Sequence, residues 1–172
     1  MQPTVNELVV EQFSRSLGNL KNILKKAQTH AQERKFDENL FLQSKLAADM
    51  FPLIKQVQIS CDIVKASCAR LTGTTPPAFA DDEKTMVELF SRIDKTLDYV
   101  KTFATNDFKG YETQKVSFFW NPGKHITGHE YVISYAIPNF YFHVSAAYAI
   151  LRSNGVHLGK GDYLGEMQWK AN

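Results

Sequence analysis

The sequence predicts an all-α protein, an up-and-down four-helix bundle with a short irregular or β-hairpin excursion before its last helix. Three observations carry this. Apolar residues recur at helical spacing in long stripes, capping and stop signals bracket those stripes, and no repeat, low-complexity tract or linker divides residues 1–172, which read as one domain.

The first helix opens at Thr4, followed three residues later by Glu7, a pair that satisfies two orphan backbone N–H groups reciprocally. Val5, Leu8, Val9, Phe13, Leu17, Leu20, Leu24, Ala27 and Ala31 then keep one face to about Arg34. The charged stretch Glu33 to Asn39 ends it.

A second helix can start at Asp49 with Pro52 in its first turn, where a missing N–H costs little. It runs through Leu53, Val57, Cys61, Val64, Cys68 and Leu71, and Gly73 with Pro76-Pro77 stops it. The third opens with Asp81 or Asp82 as cap and carries Met86, Leu89, Phe90, Ile93, Leu97, Val100 and Phe103 on one stripe.

From Asp107 to about Thr127 the period changes. Val116, Phe118 and Trp120 alternate with Ser117 and Phe119, and Asn-Pro-Gly follows as a turn signal. This predicts a short strand or irregular excursion across the bundle end, covering a cleft. Tyr131, Val132, Tyr135 and Ala136 return to helical spacing, Pro138 predicts a kink, and the helix continues from Asn139 to Arg152 before Asn154-Gly155. Val156 to Asn172 read as an ordered tail, because Leu158, Tyr163, Leu164, Met167 and Trp169 are too apolar for free solvent.

The totals narrow the partners. A net charge of +2 from 20 basic and 18 acidic residues, with no basic block, argues against nucleic acid. No apolar stretch approaches the roughly 20 residues that span a bilayer, and the N-terminus lacks the pattern of a signal peptide. The expectation is a cytoplasmic protein with no membrane partner. Cys61 and Cys68, seven residues apart on a helix, are separated by roughly 10 Å. A disulfide needs less than about 7 Å, so both read as small buried apolar residues.

On the last helix, Asn139, His143, Ala146, Ala147 and Ile150 share a face that the small alanines turn toward a neighbour. His143 therefore sits in or near the core, where imidazole must hydrogen-bond or hold a metal. His125 and His129 have metal-pair spacing with Glu130 adjacent, but Gly123 and Gly128 predict a loop there, and both read as solvated. Folded over the bundle end, one of them could supply His143 with a further ligand. His30 falls on the polar side of the first helix, and His157 has no partner in the pattern. Asp49, Asp62 and Asp98 are single acids at helical positions, and nothing pairs two carboxylates for acid–base work. Tyr135, Tyr141 and Tyr148, beside Phe140 and Phe142, read as core or dimer contact.

The string Pro138-Asn139-Phe140-Tyr141-Phe142-His143, with Ala147 to Arg152 and Gly155-Val156, resembles the final helix of the DinB/YfiT-like metalloenzyme superfamily. Met50-Phe51-Pro52-Leu53, Gln56-Val57 and Arg70-Leu71-Thr72-Gly73 extend the similarity to a domain-of-unknown-function branch and cover nearly the whole chain. The resemblance implies a four-helix bundle whose typical members hold a divalent metal, Zn or Ni, with three histidines. Residue by residue, His143 matches the last ligand, Asn139 stands in place of the second, and Gln56 or Gln58 falls near the first. Amide oxygen is a far weaker ligand than imidazole for such metals.

Three functional readings follow. One is a degenerate metal site that keeps a polar pocket around Gln56, Asn139 and His143 for a small molecule. A second is a metal-dependent thiol S-transferase-like enzyme, as some relatives of the superfamily are. The third is a protein-interaction module with an exposed apolar patch. The resemblance and the surplus of aromatics also imply a homodimer.

Overall fold

The structure, a computed structural model, describes residues 3–167 and 169–170; the predicted ends at Met1 and Asn172, with Gln2, Gln168 and Ala171, lie outside them. Thr4 caps the first helix as expected, since Glu7 N donates to Thr4 Oγ1 at 3.2 Å and Thr4 N donates to Glu7 Oε2 at 2.6 Å. A π-turn, Glu7–Glu11, leads into α1, Gln12–Glu33, whose Phe13, Leu17, Leu20, Leu24, Ala27 and Ala31 are all buried.

Helix α2, Leu53–Thr72, begins four residues later than the sequence predicts. Pro52 stands just outside it in extended backbone (ψ 166°), and Leu53 N is committed to Ser44 O at 3.0 Å. The residue before a proline avoids helical angles, so Phe51 cannot belong to a first turn. Gly73 closes the helix in the left-handed region (φ 70°), as expected.

Helix α3, Met86–Val100, is capped by Thr85 and not by Asp81 or Asp82. Thr85 forms a reciprocal pair with Glu88, at 3.2 Å and 2.9 Å. Asp81 is drawn instead to Lys55 and Arg92, both at 2.9 Å.

The bundle is built from α1, α2, α3 and α5, Ile137–Ser153; α1 and α2 each pack against α3 and α5. Side-chain contacts give the directions. Lys55 meets Asp81 and Gln58 meets Glu83 at the start of both, while Asp62 meets Arg92 further along, so α2 and α3 run parallel. Gln12 meets Tyr141 and Phe13 meets Phe140, while His30 and Asn154 share a cleft, so α1 and α5 are also parallel. Ser67–Tyr131 and Gln56–His143 make α2 and α5 antiparallel. The succession is up, down, down, up, a refinement that hydrophobic periodicity does not carry. Residues 73–85 must therefore travel back along the outside of α2 before α3 begins.

The excursion is a hairpin. Strand β1, Lys115–Ser117, pairs antiparallel with β2, His125–Thr127, with Val116 opposite Ile126. Phe118 and Trp120 lie on Tyr135 at ring separations of 4.8 Å and 6.1 Å, and Arg70 of α2 sits 5.0 Å from the Phe118 ring.

Thr127 then caps α4, Gly128–Tyr131, through a reciprocal pair with Glu130, and the backbone stays helical through a second π-turn, Val132–Ala136, into α5. Two expectations change here. His129 is helical and His125 lies in β2, although both are exposed as expected. The irregularity expected at Pro138 takes the form of a π-turn just before it: the proline ring would meet the carbonyl four residues back, and a wider turn moves that carbonyl away.

In the tail, Val156 and Leu158 are buried and α6, Lys160–Leu164, packs on α1, with Arg15 Nη2 donating to Leu164 O at 3.0 Å and Glu166 O at 2.7 Å. Contrary to expectation, Leu164, Met167 and Trp169 stay substantially exposed, Trp169 at 82%. Among the described residues no helix is long and apolar enough to cross a membrane.

Candidate functional site

His143 occupies an inward position on α5 and is 7% exposed. Opposite it on α2 stands Gln56, 1% exposed, and His143 Nδ1 lies 2.7 Å from Gln56 Oε1. The second half of the Gln56 amide settles which atom donates. Its Nε2 gives a hydrogen to the Phe51 carbonyl at 3.0 Å, and a carbonyl can only accept. Oε1 therefore faces His143 and also can only accept, so Nδ1 carries the proton. The neutral ring then keeps its lone pair on Nε2. Burial, with no charge beside it to compensate, lowers the His143 pKa below its ordinary value.

The other sequence candidates divide. Gln56, and not Gln58, faces the histidine. Gln58 points to α3, where its Nε2 donates to Glu83 Oε2 at 2.7 Å. Asn139, one turn before His143, is half-buried, and among the described residues its side chain bonds neither Gln56 nor His143. The expected three-residue cluster is thus a pair with Asn139 alongside. His30 is half-buried against Phe36 and Phe41, at ring separations of 6.1 Å and 6.2 Å, and His157 is exposed.

A second polar centre lies where α2 packs on α3, around Asp62 and Arg92, which are 30 positions apart in sequence. Arg92 is 2% exposed on α3, with Nη2 at 3.0 Å from Asp62 and 2.9 Å from Asp81, and Nη1 at 2.9 Å from Glu83 and 3.0 Å from the Ala80 carbonyl. Lys55 and Lys65 complete it, at 2.9 Å from Asp81 and 3.1 Å from Asp62. Asp62, which reads as a single acid in sequence, is thus one of three carboxylates around one guanidinium. The available signal was Arg92 itself: it falls between Leu89 and Thr96 on the buried stripe, where a charge must find partners.

The donors near His143 do not fit the three-nitrogen metal site implied by resemblance. Gln56 has spent its oxygen on the imidazole and its nitrogen on the backbone. Among the described residues no group of three or more His, Cys, Asp or Glu is placed to hold a metal. The two cysteines are buried and unpaired, and burial pushes each thiol up to about 12, so neither is a poised nucleophile.

Comparison with known proteins identifies the fold and the family. The profile of the domain of unknown function DUF1993 matches residues 6–164. A crystal structure of a DinB family member protein from Shewanella denitrificans, at 1.83 Å resolution, superposes with a TM-score of 0.95 and 48% identity, covering 98% of this chain and 96% of that one. No curated protein matches the sequence. With the profile matching most of the chain and the fold shared over nearly its whole length, the chain belongs to the DUF1993 family, a domain of unknown function within the DinB family.

Proposed function

We propose that the Gln56–His143 pair, with Asn139 at its side, is the core of a small-molecule site that works without a resident metal. The observation that supports it most is the 2.7 Å contact between His143 Nδ1 and Gln56 Oε1. It holds the imidazole in one tautomer and leaves Nε2 as a fixed acceptor. The lowered pKa keeps that nitrogen unprotonated at neutral pH, the state in which it can accept a hydrogen bond or a proton from a ligand. Metal-dependent thiol transfer would need imidazole ligands at positions where Gln56 and Asn139 offer amides.

The test has two parts. Nitrogen-resolved NMR of the histidine side chains should show His143 protonated on Nδ1 and free on Nε2. A thermal-shift screen of small hydrogen-bond donors should then find compounds that raise the melting temperature of the native protein and not of His143→Gln. A proton on Nε2 would sink the reading, as would equal shifts in both proteins.

A second reading, association with another copy of this chain, has its own observation. Phe119 is 91% exposed and Trp120 53% exposed at the hairpin tip, beside the half-buried Phe118 and Tyr135. An apolar tip of this kind favours a partner surface. Sedimentation should give a dimer that weakens when Phe119 and Trp120 become serine; a monomer at all concentrations would remove the support.

A further inference from the structure

His143 Nδ1 is spent on Gln56, and the other ring nitrogen is not. Among the described residues, the buried side-chain atoms without a hydrogen-bond partner are Ser14 Oγ, Gln58 Oε1 and Arg92 Nε. His143 Nε2 also lacks a partner yet is not one of these, so it reaches the surface within the 7% of the residue that stays exposed. With the proton on Nδ1, this nitrogen is an acceptor open to a ligand. Asn139 lies one turn earlier on the same face of α5, with about 5–6 Å between the two Cβ atoms. It is half-buried, and its amide bonds neither member of the pair.

Aromatic rings bracket these two groups. Phe142 stands edge-on to the imidazole, with 5.2 Å between ring centroids and 88° between planes, and is 57% exposed. In the other direction along the helix, Tyr135 comes four positions before Asn139 and carries Phe118 and Trp120 against its ring. No charged side chain acts on the imidazole, whose pKa is moved by burial alone. A carboxylate or ammonium ligand would therefore lose water beside His143 with nothing there to offset its charge.

On the small-molecule reading of the Gln56–His143 pair, on which this rests, we propose that the site binds a neutral phenol, its hydroxyl between His143 Nε2 and Asn139 and its ring against Phe142. A hydroxyl meets both polar groups at once, because one oxygen donates its hydrogen to Nε2 and accepts from Asn139 Nδ2. An indole N–H donates to the first and offers the second nothing. A phenolic hydroxyl titrates only near pH 10, at about the pKa of tyrosine, so the ligand stays uncharged at neutral pH. Its ring gains offset or edge-to-face contacts with Phe142 that an aliphatic alcohol does not make.

Histidine side-chain and backbone NMR of the whole protein would be followed while phenol is added, with anisole, cyclohexanol and benzoate in parallel. Phenol should give saturable shifts at Gln56, Asn139, Phe142 and His143 in the millimolar range, and should move the His143 Nε2 resonance as that nitrogen takes up a hydrogen bond. Anisole has no hydroxyl hydrogen, cyclohexanol no aromatic ring, and benzoate a charge; each should bind at least about tenfold more weakly, about 1.4 kcal/mol. Phe142→Ala, at an exposed position, should weaken phenol by a similar factor with the melting temperature unchanged. Absence of saturation with phenol, equal binding of anisole or benzoate, or an unaltered Phe142→Ala overturns the proposal. If cyclohexanol moves Nε2 as strongly as phenol, the phenol assignment fails while the small-molecule reading stands. A proton on Nε2 removes both.

Discussion

Gln56 and His143 face each other across the α2–α5 contact, 87 positions apart in sequence, with 2.7 Å between Oε1 and Nδ1. Because each is buried, neither can turn to water when the other is removed. Gln56→Leu leaves the Nδ1–H unpaired, and His143→Ala leaves the amide oxygen so; each should cost about 1–3 kcal/mol of unfolding free energy. Gln56→Glu should be milder and should raise the His143 pKa by placing a carboxylate beside it. Urea titration of the three variants, with histidine NMR on the last, is the check; a His143→Ala protein as stable as wild type would show that the pair does not support the fold.

Acid should weaken the same contact, with a sign set by burial. The His143 pKa is lowered in the folded protein from an ordinary 6.5. Above that ordinary value both states are neutral and the contribution is complete. As pH falls below it the unfolded chain takes up the proton first, so stability declines until the folded pKa is passed. Denaturant midpoints measured from pH 8 to pH 5 should fall over the lower part of that range, and His143→Gln should remove that part of the slope. An identical slope in the variant would assign it to other groups.

Arg92 holds segment 80–83 against both parallel helices. Arg92→Leu would leave Asp62, Asp81 and Glu83 without their shared cation. The two aspartates are about 40% exposed and can rehydrate, whereas Glu83 is only 10% exposed. The expected loss is therefore about 3 kcal/mol, the lower part of the range for breaking a buried ion pair. Glu83→Gln should cost less, since it keeps an acceptor. A change below about 0.5 kcal/mol for Arg92→Leu would mean the cluster is solvated in solution.

Cys61 and Cys68 should be silent until the bundle opens. Both cysteines are fully buried, and burial pushes each thiol up to about 12. Aromatic disulfide reagents at pH 8 should label neither under native conditions, and labelling should rise with denaturant along the unfolding curve. Rapid labelling of one cysteine in buffer would reveal a local opening of α2.

Much of this was legible in the amino-acid pattern. The stripes on α1, α2 and α3, the Thr4 cap, the Gly73 stop and the inward His143 follow from period and local chemistry, which act within a few residues. What escaped depends on partners distant in sequence. Nothing near Asn139 tells that it stays apart from the pair, and nothing near Gln56 and Gln58 tells which faces α5. The cap at Thr85 is local, carried by Thr85 and Glu88, but Asp81 and Asp82 offer an equally good cap signal in sequence, and only the fold shows that Arg92 claims Asp81. The parallel course of α2 and α3 is invisible to periodicity, because a stripe has the same spacing in either direction.

The π-turn at Val132–Ala136 has a consequence for how the chain tolerates change in length. A wide turn holds one residue more than an α-turn, so it absorbs an insertion while the helix on either side keeps its facing. Deleting one residue elsewhere in α5 would rotate His143 by about 100° away from Gln56. Deleting Ser134 would let the turn close to α geometry with both flanks in place, but would bring the Pro138 ring against the carbonyl it now clears. The spare residue and the proline are therefore a matched set. The deletion should be tolerated with Pro138→Ala and costly without it, and the hairpin end of the molecule can drift in length without dislodging the histidine.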